Sequence, residues 1–358
     1  MSNDQFPLLA ALLDAPGPSG FETTPARIWR EAATFADDVT SDVSGNSYAT
    51  IAAADGGTDA RRLMFAGHID EIGVMVIHVD DDGYLWFDGI GGWDTQVFVG
   101  QRVTLLGHNG PVAGVIGKQA IHLMDQSARD KLSKMHDLWI DIGARNRAEA
   151  LEKVGPGTAG VLGSSVMRLP NDRIVSRSLD NRIGAYVVLE ALRMLADDRA
   201  PVPVTAVATT QEEIAYTGGG ARTSATSLDA FAAIVVDVTH ATDSPGVEKK
   251  RHGDIRLGGG PVLSRGAAVN PLVFEMLLDV ARTEKIPHAI HAAPRFTGTD
   301  ADAIFTAHRG VATGLVSVPL RYMHSPSELA SLEDIHNSAR LLAAFARRCT
   351  PGIDLAPR

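Results

Sequence analysis

The sequence predicts an α/β protein, a mixed-sheet domain interrupted by a small β-rich insertion, and three observations predict it. Compact apolar runs such as Arg62 to Ala66 and Ala232 to Val236 have the length and β-branched content of buried strands, and segments of helical spacing separate them. From about residue 72 to residue 170 this texture gives way to short β-type runs joined by Asp-Gly and Asn-Gly turns. Several apolar runs also stop abruptly at charged residues, most plainly where the run from Val204 meets Glu212 and Glu213. Open α/β sheets collect their ligands at such strand ends.

Taken in order, Asp4 to Leu13 reads as a helix stopped by Pro16 and Pro18, and Thr24 to Phe35 as a second one. Val39 to Val43 and Ser47 to Ala53 form a hairpin around Ser44-Gly45-Asn46. The strand Arg62 to Ala66 leads into Gly67-His68-Ile69-Asp70-Glu71. The insertion follows, with strands such as Val74 to Val79, Tyr84 to Phe87, Val103 to Leu106, Val112 to Ile116 and Leu138 to Ile142, and one helix from Asn146 to Val154. Its Gly-rich loop Gly89 to Trp93 has neither a lysine nor a following helix, which argues against a phosphate loop. Arg173 to Ser178 then leads to Asp180 and an apolar run reaching Leu195, read as a long buried helix. Beyond the strand ending at Asp237 come a helix at Pro271 to Thr283, strands at His288 to His291 and Val311 to Val318, the segment Tyr322-Met323-His324, and a closing helix from Leu332 to Arg347. The expected division is 1–71 and 171–358 for the main domain and 72–170 for the insertion.

Composition bounds the function. A chain of 358 residues, 45% hydrophobic and 21% charged, can build a large core. A formal charge of -10, with no basic cluster longer than Lys249 to Arg251, argues against a nucleic-acid or anionic-membrane partner. The single cysteine, Cys349, excludes an intramolecular disulfide and a cysteine-based zinc site and fits a reducing compartment. With no basic n-region at the N-terminus and no run of 18 apolar residues, the expectation is a cytoplasmic protein without a membrane span.

His68, Asp180, Glu213, Asp237 and His324 all fall at the ends of buried-looking strands or at a helix start. Two histidines and three carboxylates suit a pair of borderline cations, zinc or cobalt, with one carboxylate bridging and a histidine on each. Such a pair makes hydroxide from water near neutral pH and polarises a carbonyl oxygen. One of Glu212 and Glu213 then remains to move the proton. Asp70 lies two residues from His68 and can hold its imidazole in the tautomer a metal requires.

Six segments in order, Ala66-Gly67-His68-Ile69-Asp70-Glu71-Ile72-Gly73, Ser178-Leu179-Asp180-Asn181-Arg182, Gln211-Glu212-Glu213, Val236-Asp237-Val238-Thr239-His240-Ala241, Gly298-Thr299-Asp300-Ala301 and Tyr322-Met323-His324-Ser325, closely resemble the tetrahedral, self-compartmentalising metallo-aminopeptidases. These are the glutamyl/leucyl aminopeptidase family, which includes deblocking enzymes, and the likeness spans nearly the whole chain. The resemblance implies a dinuclear-metal peptidase domain in which Asp180 bridges, His68 and Asp237 hold one metal, and Glu213 and His324 hold the other. It makes Glu212 the general base and Asp70 the residue that orients His68. It further implies a PDZ-like dimerisation domain in the insertion, dimers assembling into a hollow dodecamer, and short peptides with a free N-terminus as substrates. The chain departs from the family pattern in carrying Asn181 where many relatives have a second aspartate, and Thr297 where a glycine is usual.

Three rivals stand against this reading. A glycoside hydrolase is suggested by the Glu212-Glu213 pair and by relatives with a cellulase label. Its carboxylates must face each other across a sugar, roughly 5 to 9.5 Å apart, which adjacent residues do poorly. A noncatalytic metal scaffold leaves Glu212 without a use. A dinuclear acylase or carboxypeptidase is separated by activity on free against N-acylated peptides.

Overall fold

A computed structural model describes residues 6–57, 61–214 and 218–357. Its large sheet runs in the order Asp38–Ser41, Ser47–Ile51, Val204–Thr209, Leu63–His68, Ala232–His240, Ala312–Arg321, Glu328–Ser331, Arg173–Ser176 and Met167–Leu169. Val262–Gly266 and Ala289–Ala293 branch from the Ala312–Arg321 strand. The four strands from Val204–Thr209 to Ala312–Arg321 are parallel, and those flanking them are antiparallel, which makes the sheet mixed as expected. Parallel order puts four carboxyl ends side by side, and the charged residues follow those ends.

The helix Leu179–Ala196 packs across the middle of this sheet. It is apolar nearly all round, as a helix enclosed by sheet and neighbouring helices must be, and Ile183, Val187 and Leu192 are fully buried. It meets the sheet glycine on glycine at one point. A Cβ on Gly67 would sit 2.5 Å from the backbone carbon of Gly184, so only glycine lets the strand that ends in His68 run this near the helix.

The insertion is a closed antiparallel barrel of six strands, Gly73–Val79, Leu85–Ile90, Trp139–Asp141, Gly110–Gly117, Arg102–Gly107 and Ala159–Leu162 in spatial order. It has its own core, with Val74, Leu85, Phe98 and Ile140 fully buried. Closure removes the exposed edges that so many short strands would otherwise present. Met167–Leu169, assigned to the insertion by the boundary at 170, instead pairs with Arg173–Ser176 in the large sheet.

Element ends differ from expectation where pairing outweighs local composition. The strand read as stopping at Val236 continues to His240, because Asp237 to His240 pair in register with Ser317 to Leu320. Asp237 therefore lies inside a strand and not in the loop after it. The first helix is Phe6–Asp14, with Asp4 and Gln5 outside the described residues, and the second stops at Ala32. The helix of the insertion shortens to Arg147–Leu151, with the Asn146 side chain accepting from the Glu149 N–H as its cap. No helix among the described residues is long and apolar enough to cross a membrane.

Candidate metal centre

His68 is the last residue of its strand, and Glu212 and Glu213 follow the end of the adjacent strand Val204–Thr209. Asp237 comes from the next strand and His324 from the turn after Arg321. Asp180 enters from the helix that crosses behind them. Its φ and ψ of -82° and 107°, with -125° and 40° at Asn181, are not helical, so regular winding starts after them. The cap of the regular part is Asn181, whose Oδ1 accepts from Gly184 N–H at 3.0 Å and whose Nδ2 donates to the Val236 carbonyl at 2.8 Å. Capping by Asn181 leaves the Asp180 carboxylate free for the site.

The two Asp180 oxygens separate between the two histidines. Oδ1 lies 3.3 Å from His68 Nε2, and Oδ2 lies 3.5 Å from His324 Nε2. Glu213 Oε2 is 3.3 Å from His324 Nε2, while Glu212 Oε2 and Asp237 Oδ1 lie 3.7 and 3.9 Å from His68 Nε2. Among the described residues two groupings have ligand atoms close enough to hold an ion, His68 with Asp180 and Glu213, and His68 with Glu212 and Asp237. The second includes Glu212, the residue that the resemblance assigns to proton transfer.

Asp70, wholly buried, organises this cluster from behind. Its Oδ1 lies 3.3 Å from His68 Nδ1 and accepts from the Glu212 N–H, while Oδ2 accepts from Ser19 Oγ and the Glu213 N–H. One carboxylate thus sets the tautomer of His68 and the turn that aims both glutamates. Gln211, just before them, has a φ of 61°, a strained value for a residue with a side chain.

The set is a buried excess of negative charge. Among the described residues no lysine or arginine forms an ion pair with Asp180, Glu212, Glu213 or Asp237, and Glu213 Oε1 is buried without a hydrogen-bond partner. Burial, opposed by His68 and reinforced by Asp237, Asp300 and Glu213, raises Glu212 well above the usual carboxylate range. Asp237 is likewise raised, by burial first and then by Asp180. Hydrogen bonds to Asp180 and Glu213 push His324 up to about 11. Burial presses His68 toward its neutral form, but Glu212, Asp180 and Asp70 outweigh it and hold the imidazole well above its ordinary value. Buried carboxylates without a lysine or arginine partner, arranged around two imidazoles, have the donor set and the charge that divalent cations match.

The structure brings together all seven residues singled out from sequence: Asp70, Glu212, His68, Asp180, Glu213, Asp237 and His324. All but Asp70 line a cavity of about 1310 Å³. Three contributors had no role assigned to them from sequence. Glu328, 1% exposed, accepts from the Asp180 N–H at 3.0 Å and the His324 N–H at 2.9 Å. Glu71, beneath the site, is held by Arg182 at 2.8 Å and Arg177 at 2.9 Å. The Gly-rich loop of the barrel reaches the centre as well, since a Cβ on Gly92 would lie 3.5 Å from His324 Nδ1. The departure at Thr297 is absorbed locally, its hydroxyl meeting Thr299 Oγ1 at 2.8 Å and Asp302 Oδ1 at 3.0 Å.

Comparison with known proteins places the chain in a family. A family model described as M42 glutamyl aminopeptidase matches residues 46–341. A lysyl aminopeptidase of Pyrococcus furiosus is 34% identical over 358 residues, which cover 98% of this chain and 99% of that protein. A TET aminopeptidase from Thaumarchaeota archaeon SCGC AB-539-E09 superposes with a TM-score of 0.90 at 33% identity, covering 97% of each chain. The TET1 peptidase of Pyrococcus horikoshii, described as able to assemble into a tetrahedron or a large octahedral shell, gives 0.84 at 29% identity, covering 96% of this chain and 100% of that one.

Proposed function

The chain belongs to the M42 glutamyl aminopeptidase family of metal-dependent hydrolases, and on that premise we propose that it removes N-terminal residues from short peptides with two divalent cations, zinc or cobalt. Asp180 would be shared between them, His68 and Asp237 would complete one site, and Glu213 and His324 would complete the other. The observation that carries this reading is the division of the Asp180 oxygens between His68 and His324. The cations, when bound, acidify water and polarise the scissile carbonyl.

Each remaining task falls to a residue of the chain. Glu212, raised by burial, takes a proton from the attacking water and returns it to the departing amine. Asp70 fixes His68 and, through the backbone N–H groups of Glu212 and Glu213, the direction of both glutamates. A glycosidase mechanism fits poorly, because Glu212 turns toward His68 and Glu213 toward His324.

The substrate is a short peptide with a free N-terminus. We place residues 1–71 and 171–358, together with the strand Met167–Leu169 of the large sheet, in the catalytic domain and the barrel that begins at 72 in a dimerisation domain, with dimers forming a dodecamer in the cytoplasm. The shells described for the Pyrococcus horikoshii relative support the assembly. Mass spectrometry of matched peptides with free and acetylated N-termini, with zinc or cobalt restored to chelated protein, tests the activity. Stepwise trimming of the free member alone is expected, and cleavage of the acetylated member at its first bond contradicts the reading.

A further inference from the structure

We propose that Glu328 is a positioning residue for the metal centre, a carboxylate that holds two ligands in place through their backbones without itself facing a cation. The inference rests on the two-cation reading above. Asp180 and His324 are 144 residues apart and arrive on unrelated elements, a helix entrance and a turn. Glu328 joins them, Oε2 accepting from the Asp180 N–H and Oε1 from the His324 N–H. Both of its oxygens are thereby engaged with the backbone of the bridging ligand and the outer histidine.

The chain spends free energy to keep it there. Glu328 is 1% exposed and, among the described residues, has no lysine or arginine ion pair. A buried acid with no cationic partner is costly, so a residue that served packing alone would serve as well without the charge. The backbone it supports is itself strained, since His324 has a φ of 59° and Tyr322 of 61°. Glu328 opens the strand Glu328–Ser331, where it pairs with Ser176, two residues before the segment that delivers Asp180. Sheet pairing on one side and the carboxylate on the other thus lock the Asp180 entrance to the His324 turn.

Glutamine in this place is nearly the same size but presents one acceptor oxygen and one NH₂ group. One of the two N–H groups then faces a donor and the ligand attached to it loses its anchor. Residues that orient metal ligands change affinity by about 10- to 100-fold when replaced. The test measures zinc bound per chain, by elemental analysis, across a series of buffered free-zinc concentrations. It compares the unsubstituted protein, Glu328→Gln, Glu328→Asp and, as a control, Asp334→Asn. Asp334 is also a buried carboxylate held by two backbone N–H groups, from Gly258 and Gly260 at 2.7 Å each, but it lies away from the centre.

The expected result is a 10- to 100-fold rise in the zinc midpoint for at least one of the two ions in both Glu328 variants, with Asp334→Asn within about twofold of the unsubstituted protein. Unmoved midpoints in the Glu328 variants, or an equal shift in Asp334→Asn, overturn the proposal. If Glu328→Gln fails to fold, Glu328→Asp, which keeps the charge but is too short to span both N–H groups, decides it by the same measurement. Failure of the two-cation reading is a separate outcome, seen as fewer than two zinc ions in the unsubstituted protein at saturation.

Discussion

Replacing each of the adjacent glutamates by glutamine separates proton transfer from metal holding. Glu212 stands 3.7 Å from His68 Nε2, and burial raises its carboxyl above the usual carboxylate range, so it accepts a proton more readily than an exposed glutamate. Glu213 is more deeply buried, 5% against 16% side-chain exposure, and lies 3.3 Å from His324 Nε2. Glu212→Gln removes the proton acceptor while changing volume little, so kcat is expected to fall by about 10²- to 10⁴-fold, or about 2.7 to 5.4 kcal/mol at 1.36 kcal/mol per tenfold. KM should stay near its original value, because the interaction lost belongs to the transition state. Glu213→Gln replaces a charged ligand with a neutral one and should lower metal content first, with activity partly restored by excess zinc. A chromogenic aminoacyl-amide assay with elemental analysis of each variant measures both. Loss of metal from Glu212→Gln with retention in Glu213→Gln refutes the assignment and identifies Glu212 as the ligand, in line with its place beside His68 and Asp237.

Other consequences are checked as directly. Asp180→Ala should abolish activity and release most of the metal, and full occupancy in elemental analysis would contradict a bridging role. Because His324 is held near 11 and His68 well above its ordinary value, a cation entering the centre displaces protons. Calorimetric zinc binding in buffers of different ionisation enthalpy should show proton release and affinity that climbs with pH, and heat independent of buffer contradicts this. In chelated protein the stabilisation from the raised His324 is fully present below about pH 6.5 and is lost as pH rises toward its folded value, so the thermal midpoint should decline over that window. Arg182 is fully buried and donates to the carbonyls of Leu12, Ala15, Gly17 and Ile69 and to Glu71. Arg182→Met should cost about 3 to 5 kcal/mol, read as a lowered thermal midpoint, and an unchanged midpoint counts against this network.

Much of the site was legible because its chemistry interrupts a hydrophobic pattern. A histidine or acid at the end of an apolar run stands out, and His68, Asp180, Glu213, Asp237 and His324 all do so. Parallel strand order then supplies the convergence that a linear sequence only suggests. Glu328 was not legible, since an acid opening a short strand resembles a solvated loop residue until two distant backbone N–H groups are seen to meet it. The loop Gly89 to Trp93 was read only as lacking the lysine and helix of a phosphate loop. Its service as the barrel's approach to His324 depends on tertiary contact alone. The extension of a strand through Asp237 followed from pairing with its neighbour, and local composition carries no record of that.

The central claim is a pair of cations sharing Asp180, and anomalous diffraction at the zinc edge from crystals of the zinc-loaded protein tests it most directly. The account predicts two peaks per chain, about 3.5 to 4 Å apart, one beside His68 and Asp237, the other beside Glu213 and His324, each within bonding distance of a different Asp180 oxygen. A single peak, or two peaks that do not share Asp180, would contradict it.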